Sequence, residues 1–237
     1  MALAESVEPR QRAPAIRPSF RAERKLFREG FSRIAGVDEA GRGPLAGPVV
    51  AAAVVLDPKK LPKGIADSKM LTAARREALF ALLCERAEIS FAFGSVAEID
   101  RVNILQATLL AMRRAVRGLS APVDAVLIDG NVVPQRMPCE ARPIVDGDAT
   151  CLSIAAASIV AKVIRDRLMA RCEATFSGYG LGAHKGYSTK AHQIALTELG
   201  PCRLHRRSFW RVAAFYEPTQ GELSEVWEES ELGDEAA

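Results

Sequence analysis

The pattern of apolar and polar positions changes character several times along the chain. The first thirty or so residues mix Arg, Pro and Ala with no clean period of 2.0 or 3.6, which reads as a flexible extension with a short helix near residues 20–29. From Ile34 a short strand is predicted to end at Asp38, followed by turn material at Gly41-Arg42-Gly43-Pro44 and a Val-rich buried strand over 48–56. Residues 59–69 read as loop, 72–87 as a helix capped by Thr72 with Leu79, Leu82 and Leu83 on its apolar side, and 89–96 as a third strand. Ile99, Val102, Leu105, Leu109, Met112 and Val116 recur every three or four residues and predict a helix over 98–119. The continuous apolar run 123–128 predicts a buried strand that stops at Asp129-Gly130-Asn131, and a shorter strand over 141–145 stops at Asp146-Gly147-Asp148. A long helix over 152–176 and two shorter ones over 189–199 and 208–216 complete the pattern. Strands first, then strands mixed with helices, then helices alone describe one α/β domain with a helical C-terminal portion.

Composition narrows the class. With 49% hydrophobic and 26% charged residues, the bulk of a 237-residue chain can build a core. The longest uncharged stretches, 43–56 and 149–161, are shorter than the ~20 apolar residues a membrane helix needs. Arg10, Arg12, Arg17 and Arg21 interrupt the start before any secretory apolar block, so cytoplasmic residence is the expectation. The five cysteines are odd in number and hold no C-x-x-C pair, which predicts buried thiols and no disulfide framework or zinc site. Three histidines without an H-E-x-x-H spacing mean that a catalytic metal would need oxygen ligands.

Charge is unevenly spread. Residues 1–33 carry a net +4 and the stretch 217–237, with eight acids and no base, a net −8, so the body between them holds +7 of the overall +3. A basic body beside an acidic tail fits a polyanionic partner. The division expected is a flexible extension over 1–33, a catalytic domain over 34–216 and a solvated acidic tail over 217–237.

Three predicted strands end in an acid beside glycine: Asp38-Glu39-Ala40-Gly41, Asp129-Gly130 and Asp146-Gly147-Asp148. Strand ends of an α/β sheet are where sites assemble, and carboxylates gathered there repel unless protonated or bridged by a cation. Magnesium and manganese take hard oxygen ligands, and a pair of such ions can hold the attacking and leaving oxygens of a phosphoryl displacement. Successive strand residues point to opposite faces, so Glu39 joins Asp38 only if the chain twists out of the sheet at Ala40-Gly41. A rival reading exists in Gly41-Arg42-Gly43-Pro44-Leu45-Ala46, which fits the loose dinucleotide pattern G-x-G-x-x-A with Asp57 further on. That fingerprint requires a helix directly after the glycines, whereas Pro48 and the Val-rich run predict a second strand.

Several motifs resemble those of ribonuclease HII, over roughly residues 34–215. They are Gly36-Val37-Asp38-Glu39-Ala40-Gly41-Arg42-Gly43-Pro44, Asp67-Ser68-Lys69, Asn103-Ile104, Leu127-Ile128-Asp129-Gly130-Asn131, Gly147-Asp148 with the Ser153–Val163 run, and His184-Lys185-Gly186-Tyr187, in that order. The resemblance implies a ribonuclease H-like mixed β-sheet flanked by helices. It also implies that Asp38, Glu39, Asp129 and Asp148 hold Mg2+ or Mn2+ and serve catalysis. The family commonly has Lys-Gly-Asp where this chain has Asp146-Gly147-Asp148, which makes Asp146 a competitor for the fourth position. Ribonuclease HIII is a nearby alternative, but that group resembles a longer chain with an N-terminal substrate-binding domain.

The implied substrate is the RNA strand of an RNA/DNA hybrid, or a single ribonucleotide inside duplex DNA, cut to leave a 3′-hydroxyl and a 5′-phosphate by a monomeric enzyme. Reading the 2′-hydroxyl needs close backbone approach, which Gly41 and Gly43 would permit. Tyr187 resembles the family tyrosine that packs on the sugar at the ribo-to-deoxyribo junction. Arg42, Lys69, Asn103, Lys162, His184, Lys185, Arg206 and Arg207 sit in or beside these motifs as candidate substrate contacts. Arg165 and Arg167 flank Asp166 on the long helix, where a salt-bridged face accounts for them. A nucleic-acid-binding protein that kept the fold and lost the chemistry is the competing class.

Overall fold

Residues 17–216 are described in the computed structural model of the chain. The acidic stretch 217–237 and the first sixteen residues of the expected extension lie outside them.

A five-stranded sheet forms the centre. Helix α1 (Arg21–Arg28) leads into β1 (Ile34–Ala40) and β2 (Val49–Leu56), and a 3-10 turn over Ser68–Met70 precedes α2 (Ala73–Arg86), β3 (Ala87–Gly94) and α3 (Val96–Arg117). Then come β4 (Ala125–Asp129), β5 (Glu140–Ile144), α4 (Gly147–Thr150), α5 (Leu152–Thr175), α6 (Leu181–His184), α7 (Lys190–Leu199) and α8 (Trp210–Ala213). The strand order is β3-β2-β1-β4-β5, with β2 antiparallel to its neighbours β1 and β3 on either side, and β4 and β5 parallel to β1.

The sequence VVAAAVVL makes β2 apolar on both faces, and both faces are covered. Ala51 and Ala53 pack with Ala35, Val37, Val126 and Ile128 against Ala111, Met112 and Ala115 of α3. Ala52, Val54 and Leu56 pack on the other side against Leu79 and Leu83 of α2 and Ala156, Ile159 and Val160 of α5. Gly36 lets α5 approach closely, since a Cβ there would collide with the Ser153 and Ile154 backbone. Thr72 caps α2 by accepting from the Arg75 amide, and Ser95 and Glu98 close a capping box on α3.

Several expectations are corrected. The part of the expected extension that is described is docked: Phe20 and Leu26 are buried, and Ser19 bridges to Cys151. The Glu23 carboxylate accepts from the Ser153 amide at 2.7 Å. The helix α1 lies within the short helix expected near 20–29 and is amphipathic: Glu23 and Leu26 are buried on one side while Arg21, Arg24, Lys25 and Arg28 are exposed. The predicted helix over 98–119 is broken at Asn103, whose backbone is left-handed at φ 67°. The one-turn helices α4 and α6 were not foreseen, and the helix expected over 208–216 shrinks to α8, segments too short to carry a period. The thiols are not uniformly buried: Cys151 is, Cys84 is exposed, and the other three are half-buried.

Candidate active site

Adjacent strands and alternation place the first two acids together. In the parallel β1/β4 ladder Val37 pairs with Ile128, so Asp38 and Asp129 follow side by side where β4 ends and β1 runs on two residues further. Asp38 shares the face of Gly36, the α5 side. Asp148 comes from α4 and not from a strand end; its amide and that of Gly147 donate to Asp129 Oδ1 at 3.3 and 2.8 Å, which ties the turn to β4. Asp146 is exposed in a left-handed conformation and caps the turn through its carbonyl, outside the cleft.

A cleft of about 290 Å³ gathers Asp38, Glu39, Asp129 and Asp148 with Gly41, Arg42, Gly43, Lys69, Lys162 and Tyr187, and with the hydroxyls of Ser68 and Ser158. Those two hydroxyls lie 2.9 Å apart and are buried. The sequence reading passed over both serines as mere motif neighbours. Glu39 does not leave the sheet as anticipated. It pairs with Ala51 within β1, which runs on to Ala40, so it reaches the cleft from the rim of the α3 face, where Arg42 lies 3.3 Å away.

The electrostatics are those of crowded anions. Burial, then the Glu39 and Asp129 charges, push Asp38 well above the usual carboxylate range. Burial likewise raises Glu39, with Asp129 adding to it and Arg42 opposing. Asp129 is raised by burial and by Asp148. Lys69 lies 3.2 Å from Asp148; burial opposes its charge, but Asp148, Asp67 and Asp38 outweigh that and raise the ammonium pKa.

The donor set consists of hard oxygens whose repulsion Arg42 and Lys69 relieve only in part, which fits Mg2+ or Mn2+ and no soft metal. Convergence is nevertheless looser than strand ends alone suggested: no three Asp, Glu, His or Cys side chains among the described residues stand arranged to hold one ion. Glu39 is turned to Arg42, Asp148 to Lys69, and Asp129 Oδ1 to two amides.

Other expected substrate contacts are placed elsewhere. Arg206 is fully buried and donates to the carbonyls of Gly41, Arg42 and Gly47, so it has no free edge for a phosphate. Arg165, expected on a salt-bridged face, is also buried and donates to Ala46, Pro48 and Lys185 carbonyls; only Arg167, paired with Glu77, behaves as expected. The His184 ring spends both nitrogens on its own loop, donating to the Tyr179 carbonyl at 2.7 Å and accepting from the Gly186 amide at 3.1 Å. Lys185 Nζ is engaged with the Gly182 carbonyl. Arg207 is exposed with its guanidinium over the Tyr216 ring, and Asn103 is exposed with its side chain accepting from the Gln106 amide. None of these five lines the cleft.

A family model described as Ribonuclease HII matches residues 35–212. A Sinorhizobium fredii protein called Ribonuclease HII is 57% identical over 194 residues, which is 82% of this chain and 84% of that protein. The crystal structure of the ribonuclease H2 from Pyrococcus horikoshii OT3 superposes with a TM-score of 0.65 at 28% identity, covering 78% of this chain and 98% of that one. Bst-RNase HIII in complex with Mn2+ superposes with a TM-score of 0.67, covering 79% of this chain and 70% of that one; at 18% identity it shows the shared fold alone. With its mixed sheet, its carboxylate cleft and this match over most of its length, the chain belongs to the ribonuclease HII family, whose members are divalent-metal-dependent nucleases.

Proposed function

We propose that the protein hydrolyses the RNA strand of RNA/DNA hybrids and nicks duplex DNA on the 5′ side of a single embedded ribonucleotide. The observation that carries this reading is the placing of Asp38 and Asp129 side by side, with Asp148 tied to Asp129, in a cleft that Gly41-Arg42-Gly43 and Tyr187 also line. Acids and sugar-reading backbone share one opening.

In this reading Asp38, Glu39, Asp129 and Asp148 hold the metal, Mg2+ or Mn2+. When bound, the divalent ions supply an activated water and neutralise charge on the scissile phosphate. The oxygen of water bonds to phosphorus, the bond from phosphorus to the 3′-oxygen breaks, and the products are a 3′-hydroxyl and a 5′-phosphate. Burial keeps the carboxylates short of bulk water, which strengthens their hold on a cation. Arg42, Lys69 and Lys162 line the opening and supply sequence-independent attraction for the backbone. The Tyr187 ring, 43% exposed, stands where it can pack on a sugar, with Lys162 Nζ 5.6 Å from its centre.

Five unpaired thiols fit a reducing, cytoplasmic setting, and no helix among the described residues is long and apolar enough to cross a membrane. The deciding experiment is cleavage of a duplex with one embedded ribonucleotide, with and without Mg2+, with analysis of both ends. Mg2+-dependent nicking that leaves a 3′-hydroxyl is expected. Binding without nicking would assign the chain to proteins that keep the fold and lack the chemistry.

A further inference from the structure

Two buried guanidiniums stand behind the Gly41–Pro48 segment with no carboxylate as partner. Arg206 donates to Gly41 O at 2.6 Å, Arg42 O at 2.7 Å and Gly47 O at 2.9 Å. Arg165 donates to Ala46 O and Pro48 O at 3.1 Å each and to Lys185 O at 3.0 Å. Six main-chain carbonyls are thus drawn to two cations that are 1% exposed or less. Burial and the nearby Arg165 charge lower Arg206 to about 9, still well above neutrality. Burying two like charges side by side is costly, and a fold that needed only to satisfy loop carbonyls has cheaper means.

The geometry of the peptide unit shows what the arrangement achieves. A peptide group is planar and trans, so the carbonyl of one residue and the amide N–H of the next point in opposite directions. With the Gly41 and Arg42 carbonyls turned inward to Arg206, the Arg42 and Gly43 N–H groups are turned outward, to the side where these residues line the cleft. Neither amide has an acceptor among the described residues. Gly41 is required for this conformation: its φ is +98°, and a Cβ would collide with the Arg165 side chain. Arg165 meanwhile joins the loop to the Tyr187 segment through Lys185 O, reinforced by the Leu45 amide on Gly186 O at 2.9 Å.

We infer that Arg206 and Arg165 are positioning residues for ribose recognition: Arg206 aims the paired Arg42 and Gly43 amides at the sugar hydroxyl, and Arg165 fixes the distance from those amides to Tyr187. This rests on the functional reading above and adds to it the origin of selectivity. Neither arginine touches substrate. A site that presents fixed donors to one hydroxyl rejects the partner lacking it, because the donors are then left unmatched.

The test is binding without divalent ions, by fluorescence anisotropy, of two duplexes identical except for one ribonucleotide. Arg206→Lys and Arg165→Lys keep the charge but replace a planar fork by a single ammonium that cannot span three carbonyls. Each should lower the preference for the ribonucleotide duplex about tenfold while the affinity for all-DNA duplex stays within about twofold. Equal losses on both duplexes, or an unchanged preference in folded variants, would overturn the inference. The unsubstituted protein gives a second readout that survives any folding defect in the variants. Its Arg42 and Gly43 amide NMR signals should shift with the ribonucleotide duplex and not with all-DNA duplex, and equal shifts with both overturn the inference even if nicking is normal. A wild-type protein with no preference at all sinks the ribonuclease reading and this inference together.

Discussion

Lys69 Nζ lies 3.2 Å from Asp148 Oδ2, an ammonium set on the edge of a carboxylate cluster. The Lys69 side chain is 80% exposed while that of Asp148 is 12% exposed, so the cation reaches in from solvent and can leave again. Removing it with Lys69→Met should cost the metal-free protein on the order of 1 kcal/mol, because the ammonium itself stands in solvent that screens the pair. With less local positive charge, Mg2+ should raise the melting temperature of the variant more than that of the wild type. A smaller shift in the variant would mean that Lys69 helps to hold the anionic set rather than standing in for a cation.

Asp38→Asn is expected to lower nicking by roughly 10³-fold or more, because charge stabilisation worth several kcal/mol depends on that carboxylate. Asp129→Asn should do the same. Folding responds in the other direction. The folded pKa values of Asp38, Glu39 and Asp129 are raised, so the folded state keeps protons that the unfolded chain has released. Stability of the metal-free protein therefore falls as pH rises from the ordinary carboxylate range through the raised values. Asp38→Asn should flatten that fall in urea titrations at several pH values, and a steeper fall would contradict the burial argument.

His192 and His205 meet Nε2 to Nε2 at 3.0 Å in the interior. The partners fix the tautomers: His192 Nδ1 donates to the Tyr187 carbonyl at 2.9 Å, so its Nε2 accepts from His205, whose Nδ1 accepts from the Cys202 amide at 3.0 Å. Burial, assisted by neighbouring histidines, lowers both to about 4. Their contribution to stability is complete above the ordinary value of 6.5 and is lost as pH falls from there toward about 4, because the unfolded chain takes protons first; the loss is on the order of 3 kcal/mol per ring. This opposes the carboxylate trend, so the rings are best followed directly by NMR. Both should stay neutral at pH 5.5, and titration near 6.5 would refute the buried network.

Tyr187→Ala should weaken action on a single embedded ribonucleotide more than on long hybrids, where neighbouring sugars offer alternative registers. A lost aromatic contact of roughly 1–2 kcal/mol predicts a tenfold effect or somewhat more in kcat/KM for the single-site substrate. The reverse order between substrates would remove the junction role from this ring.

Gly36→Ala tests how α5 is seated. The added methyl meets the Ser153 and Ile154 backbone, which cannot move aside as a flexible side chain would. A loss of roughly 3 kcal/mol or more is expected in denaturant titration, at the upper end of overpacking costs. A loss below about 1 kcal/mol would show that α5 is free to shift on the sheet.

What the sequence settled by itself was local. The apolar runs of β2 and β4, the long period of α5, the Thr72 cap and the acids at β1 and β4 follow from neighbours within a few residues, and the chain cannot hide them. What the tertiary structure alone decided was the work of individual polar groups. Arg206 reads in sequence as one more cation beside a motif, yet its partners are carbonyls as much as 165 positions away. Arg165 was likewise taken from solvent by carbonyls as much as 119 positions away, whereas His184 was taken from substrate by main-chain groups of its own loop. Glu39 kept its place in the ladder, and Asp148 came from a single helical turn, because alternation and sheet order are properties of the assembled sheet. A side chain's type limits what it can bond to, but burial and long-range backbone geometry choose the partner.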